Sequence, residues 1–237
     1  MRIFAGAAIL ACLGASAPPG RLVYAFTYQS SQTNSAVHAY GVDKMDPGGG
    51  GTFLFHNVNQ HFIAPGANAP QTRTGTIAVD VVRQQSDGGL VVRVSETPAA
   101  AGGEKPATCV TYGDTTVVCD PEHPLGPEAN VLLRLLGKDF VDAGRLDAQR
   151  HWQIAGVGVP GETDDYRIEG TAGGSIEILE SGVIPANGTG KTTIDAKIDY
   201  DGVRALPTSV YRSTVEHSRR GAVDETVSTQ TTLKLEP

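Results

Sequence analysis

Apolar residues recur at every second position through most of the chain, and that period decides the fold class. Leu22, Tyr24, Phe26 and Tyr28 fall on one face, with Val23, Ala25 and Thr27 between them. Phe53 and Phe55 repeat the pattern, as do Ile77, Val79 and Val81, and Leu90, Val92 and Val94. Further on, Ile194, Ala196, Ile198 and Tyr200 alternate with Asp195, Lys197 and Asp199. Tyr211, Ser213 and Val215 alternate with Arg212, Thr214 and Glu216, and Val227 to Leu235 close the chain in the same rhythm. A strand turns successive side chains to opposite faces, so this period predicts half-buried antiparallel strands. Turn-forming clusters separate the runs: Gly48–Gly51, Ser86–Gly89, Ala172–Gly174, Asn187-Gly188 and Arg220-Gly221. The expected fold is mostly β, a curved antiparallel sheet that is half-barrel or barrel-like.

One segment breaks the period. Residues 127–137 read Pro-Glu-Ala-Asn-Val-Leu-Leu-Arg-Leu-Leu-Gly. Pro at the start, Glu in the first turn and Gly after the end are helix boundaries in the right order. Leu132, Leu135 and Leu136 share a face, Leu133 widens it, and Phe140-Val141 extends it through a second short turn. This predicts a short helical insertion at about 127–143. A helix this apolar must bury against a sheet face or a cavity mouth.

The N-terminus carries an address. Met1-Arg2 is followed by an uncharged apolar run, then Ala15-Ser16-Ala17 and two prolines. A charged start, a short apolar stretch and small residues at −3 and −1 predict a signal peptide over 1–17, with a single β domain over 18–237. The apolar run is too short to span a bilayer, and no transmembrane span is expected in the mature chain. Ile9-Leu10-Ala11-Cys12 also resembles a lipobox, so acylation at Cys12 is the variant to a freely secreted or periplasmic protein. Arg2 is the one charge in residues 1–17, so cleavage takes the formal net charge from −7 to −8. That balance argues against nucleic acid, whose phosphates reward clustered Lys and Arg.

An exported chain meets an oxidising compartment, where paired cysteines bond. Cys109 and Cys119 flank a turn at Gly113-Asp114. A three-residue loop over 113–115 places them opposite each other, where a cross-strand disulfide fits; a two-residue loop would place 109 against 118. Their spacing is not that of a redox-active C-x-x-C pair.

Motifs for chemistry are weak. Asn187-Gly188-Thr189-Gly190-Lys191-Thr192 resembles the end of a phosphate-binding loop, but Pro185 stands where the pattern needs Gly, and the following residues alternate as a strand. His38, His56, His61, His123, His151 and His217 are scattered. Asp120, Glu122 and His123 offer three ligand types in one turn, which reads better as an exposed polar loop than as a metal site. Glu162, Asp164 and Asp165, and Asp199 with Asp201, lack the spacing of a calcium loop. No serine lies in a G-x-S-x-G elbow, leaving a dispersed His–carboxylate–Ser set as the only hydrolase reading. No metal, cofactor or catalytic residue is assigned.

The export signal, the long curved antiparallel sheet and the apolar helix inserted mid-chain resemble the LolA-like and LppX-like periplasmic carriers. Ile198-Asp199-Tyr200-Asp201 through Pro207 and the strand after it are similar to the last hairpins of that group. The resemblance covers most of 22–237 as an order of elements and implies an apolar cavity closed by helices. The expected function is non-enzymatic binding of an apolar ligand, a lipid or acyl chain, under Leu132, Leu133, Leu135, Leu136 and Phe140. The alternative is a structural or protein-interaction module of the cell envelope that pairs with an envelope protein through an exposed strand edge such as Val227–Leu235.

Overall fold

The computed structural model describes residues 20–35, 66–98, 105–137, 140–141, 150–155, 163–185, 190–220 and 223–237. Residues 1–17, Cys12, Phe53, Phe55, His38, His56 and His61 lie outside them.

The strands are β1 (Arg21–Ser35), β2 (Gly66–Ala67), β3 (Gln71–Gln84), β4 (Leu90–Thr97), β5 (Ala107–Thr111) and β6 (Val117–Cys119), then β7 (His151–Ala155), β8 (Thr163–Ala172), β9 (Ser175–Pro185), β10 (Lys191–Asp201), β11 (Leu206–Arg220) and β12 (Val223–Leu235). Between β6 and β7 comes the helix α1 (Pro127–Arg134). All twelve strands join one antiparallel sheet of order β6-β5-β4-β3-β1-β12-β11-β10-β9-β8-β7, with β2 beside β1. The first and last long strands pair at the centre, Tyr24 opposite Leu235 and Phe26 opposite Leu233. From there each half of the chain runs outward as a meander. The two outermost strands of this path, β6 and β7, are therefore consecutive in sequence, and the segment that carries α1 joins them across the sheet.

The sheet is curved and does not close. Register shifts at Val81/Arg83, Ile168/Gly170 and Asp199/Tyr200 mark irregularities on both halves. Such bulges add local twist and bend a strand.

Alternation decides which face is covered. Leu22, Tyr24 and Phe26 of β1, Ile77 and Val79 of β3, Val92 and Val94 of β4, and Ile194, Ile198 and Tyr200 of β10 are all buried. These side chains form the inner face, and most join one continuous core with α1. On β11 Leu206, Pro207 and Val210 are buried and Arg212 is nearly so, while Tyr211 is 46% exposed. The aromatic ring faces out and the guanidinium in, because Arg212 has a buried carboxylate to meet.

The hairpin of β5 and β6 takes the three-residue loop. The Tyr112 N–H donates to the Thr116 carbonyl, and Cys109 stands opposite Cys119. The two cysteines form a disulfide with a Cα–Cα distance of 4.1 Å.

Helix α1 begins at Gly126, with Pro127 at its first position and Glu128 in its first turn. Its end tightens: the N–H groups of Leu135 and Leu136 donate to the carbonyls of Leu132 and Leu133. A further turn follows, in which the Phe140 N–H donates to the Gly137 carbonyl. Gly137 is required by proximity, since a Cβ there would sit 2.0 Å from the Tyr112 carbonyl oxygen.

Candidate functional site

The five apolar residues of the helical segment come together on the inner face. Leu132, Leu133 and Phe140 are 0% exposed, Leu135 is 2% and Leu136 is 5%. Phe140 meets Tyr166 and Trp152 edge-on, with centroids 5.2 and 5.8 Å apart, and Tyr200 at 5.9 Å. Trp152 stacks on Tyr166 at 5.4 Å. Edge and offset contacts of this kind are favourable beyond the area they bury. Phe140, just beyond the helix, thus rests on an aromatic floor supplied by β7, β8 and β10.

Register divides the inner face into rows. Ile168, Ile178, Ile198, Val210, Leu233 and Phe26 stand side by side across six strands, an apolar row. The next row reads Tyr166, Glu180, Ala196, Arg212, Thr231, Tyr28 and Arg73. Polar groups dominate it. Ala196 lies between Glu180 and Arg212, and its short side chain lets them reach each other at 3.6 Å.

Both ends of the helix pair with the sheet, Glu128 at this row and Arg134 one row beyond it. At the start, the fully buried Glu128 pairs with Arg73 at 3.0 Å. Arg73 also lies 3.6 Å from Glu96, and its guanidinium stands 5.2 Å from the centre of the Phe26 ring. Glu96 accepts hydrogen bonds from the Gly126 N–H with both oxygens. It thereby serves a helix start that has no side-chain cap of its own. Burial pushes the Glu128 carboxyl above its usual range, and Arg73 offsets only part of that. At the other end, Arg134 pairs with Asp164 of β8, whose side chain is fully buried. Nearby, the Tyr166 hydroxyl donates to Glu180 Oε1 at 3.4 Å. Burial raises the Glu180 carboxyl, against the pull of Arg212. It also raises the Tyr166 hydroxyl well above a normal phenol, with Glu180 adding to the shift.

Residue type marks Glu128 as a first-turn glutamate and Asp164 as one of an acidic cluster, but does not single out Arg73, Glu96, Arg134, Glu180 or Arg212. A signal was present in phase: Asp164 alternates with Tyr166 and Ile168, and Glu180 with Ile176 and Ile178. A charge in register with apolar neighbours marks a buried polar group that needs a partner.

The remaining candidates resolve individually. Asp120, Glu122 and His123 bring ligand atoms within 4.8 Å of one another. The turn accounts for that closeness: Asp120 Oδ1 accepts the Glu122 N–H at 3.0 Å, and Asp120 Oδ2 lies 3.4 Å from His123 Nδ1. Asp164 and Asp165 point to opposite faces, which separates them as ligands. Asp201 holds its own turn by accepting the N–H groups of Val203 and Arg204. Lys191 and Thr192 open β10, so no helix follows Gly190 to hold a phosphate.

On the outer face, His151, Asp165 and Ser181 line a groove of about 470 Å³ with Arg167, Lys197 and Tyr211. His151 Nε2 lies 2.6 Å from Asp165 Oδ1, and the Gln153 amide holds the other oxygen at 3.0 Å. These contacts, the Gln153 hydrogen bond foremost, hold the Asp165 carboxyl below its usual range. Asp165 stands directly opposite Ser181, on the strand between that serine and His151. A relay needs the imidazole between the carboxylate and the hydroxyl, and here the carboxylate occupies the middle.

No family model matches this chain, and no curated protein matches it.

Proposed function

We propose that the protein is an exported, non-enzymatic carrier of an apolar ligand, a lipid or acyl chain, and that residues 127–141 form its plug. The observation that carries this reading is the way the helical segment is held. Its leucines are buried in the core and Phe140, beyond the helix, covers an aromatic floor, while both ends of α1 are fastened by ion pairs to buried carboxylates. Buried ion pairs lose so much hydration that they contribute little net stability, while they fix geometry closely. When such a helix lifts, its charges regain water, so opening costs less than separating an apolar seam of equal area. The exposed floor must then be covered, and an apolar ligand covers it. The export address comes from residues 1–17 and the disulfide suits it.

The test is extraction of the purified mature protein followed by mass spectrometry, with titration of a fluorescent fatty acid. Copurified lipid or saturable binding supports the carrier. Absence of both sinks it.

The second reading is a structural or interaction module of the envelope. The near-complete burial of all five apolar residues favours it, since a filled core needs no ligand. Crosslinking in intact cells would then recover an envelope protein, and no lipid would copurify.

A further inference from the structure

We propose that the ligand of this site has a cationic head, an ammonium or guanidinium on an apolar tail, which takes the place of Arg134 at Asp164. The proposal rests on the carrier reading above and names the chemical class of its ligand.

The argument is a count of the charges left on the sheet when the helix lifts. Glu128 and Arg134 leave with it. At the Glu128 end the sheet keeps Arg73 beside Glu96 at 3.6 Å, a neutral pair with the Phe26 ring against it. At the Arg134 end it keeps two carboxylates and one guanidinium. Glu180 retains Arg212 at 3.6 Å and the Tyr166 hydroxyl at 3.4 Å. Asp164 loses the Arg134 guanidinium.

Asp164 is the most demanding group on this face. Its side chain is fully buried, and its Oδ1 has no hydrogen-bond partner among the described residues even with the helix in place. Gly182 stands opposite it on β9, and a Cβ there would lie 2.4 Å from Oδ1. The missing side chain makes room for the carboxylate oxygen itself, so the Asp164 side chain can lie against β9 at this position. An isolated buried carboxylate is costly, and a partner of opposite charge restores what the helix removed. A carboxylate or phosphate head would instead meet Asp164 and Glu180 as a third negative group. A neutral head would leave Asp164 unpaired. The tail takes the volume of Phe140 over Trp152, Tyr166 and Tyr200 and that of the buried leucines of α1.

The chain supplies its own reporter. Trp152 is its one tryptophan, and it lies in the floor. The mature protein is titrated with dodecylamine, N-dodecylacetamide and dodecanoate, each below its micelle concentration and at roughly physiological salt. Trp152 fluorescence gives affinity, and native mass spectrometry gives stoichiometry. The expected result is one bound dodecylammonium, held about ten-fold or more tighter than dodecanoate, with the neutral amide between. Asp164→Asn reduces that preference to about three-fold or less. Equal or tighter binding of dodecanoate overturns the inference and leaves the carrier reading standing. So does a preference that survives in a folded Asp164→Asn variant. Failure of all three to bind overturns the carrier reading itself. If Asp164→Asn does not fold, the series of three heads on the wild-type chain decides.

Discussion

Arg134 of the helix and Asp164 of β8 form an ion pair in which the carboxylate side chain is fully buried. The pair ties the helix to the sheet, and its two members respond unequally to loss of the other. Removing the guanidinium strands a buried carboxylate whose second oxygen is already unpartnered. Arg134→Met should therefore cost about 3–5 kcal/mol in urea unfolding. Adding Asp164→Asn should recover a substantial part of that loss, because the stranded charge is then gone. A single variant within about 0.5 kcal/mol of wild type, the range of ordinary surface changes, would show that the pair does not hold the helix.

The second fastening is covalent. Cys109 and Cys119 close a short loop, ten residues apart in sequence. Loop-closure entropy for that separation gives roughly 2–3 kcal/mol, so Cys109→Ala with Cys119→Ala should lower stability by about that amount. Cys109 is fully buried and lies in the core shared with α1. Alkylation of the denatured, unreduced mature protein should leave both cysteines unlabelled. Labelling of either would contradict the bond.

What could be read from the sequence follows from what is local. The strands announce themselves because a period of two survives any sheet order; the cysteine register stays open between two loop lengths in the sequence, and the Tyr112–Thr116 hydrogen bond selects the longer. The helix was equally legible, since proline, glutamate and glycine mark its limits without reference to neighbours. The pairing of Glu180 with Arg212 was not. These residues lie two strands apart, and they meet only because Ala196 separates them at the same level. That depends on strand order and register together, which no single segment encodes. The fastening of Glu128 to Arg73 is of the same kind, linking a helix to a strand 55 positions away. Position in phase could mark Asp164 and Glu180 as buried, but not by whom they are satisfied.

Gly137 tests how closely the helical segment is fitted to the sheet. A Cβ there would come within 2.0 Å of the Tyr112 carbonyl oxygen and 2.6 Å of the Gly113 nitrogen. Both are backbone atoms of the disulfide hairpin, so relief requires the segment or the hairpin to move. Gly137→Ala should cost about 1–3 kcal/mol, the range for overpacking a tight contact. If the plug reading holds, the same variant should also loosen the segment, seen as faster amide exchange across 127–136. Unchanged stability would show that this approach is not close in solution.

Stability should also depend on pH in a specific direction. Burial raises the carboxyls of both Glu128 and Glu180 above their unfolded values. A group raised in the folded state stabilises it most below the unfolded value, and that contribution is lost as pH rises through the folded one. Asp165 and Asp201 are lowered instead, so their contribution is present above the ordinary aspartate range and is lost as pH falls through it. The two sets separate by pH. In the upper window, above the ordinary glutamate range, the raised glutamates take up protons in the folded state before the unfolded chain's glutamates do, so their contribution to the melting temperature grows as the medium becomes mildly acidic. Below the ordinary aspartate range the unfolded chain takes up protons that the lowered aspartates of the fold resist, and stability should fall until those groups are protonated too. Glu180→Gln removes one raised group, so its melting temperature should rise less than the wild type's over the upper window. A Glu180→Gln variant whose melting temperature follows the wild type's across that window would mean that Glu180 does not carry a raised carboxyl.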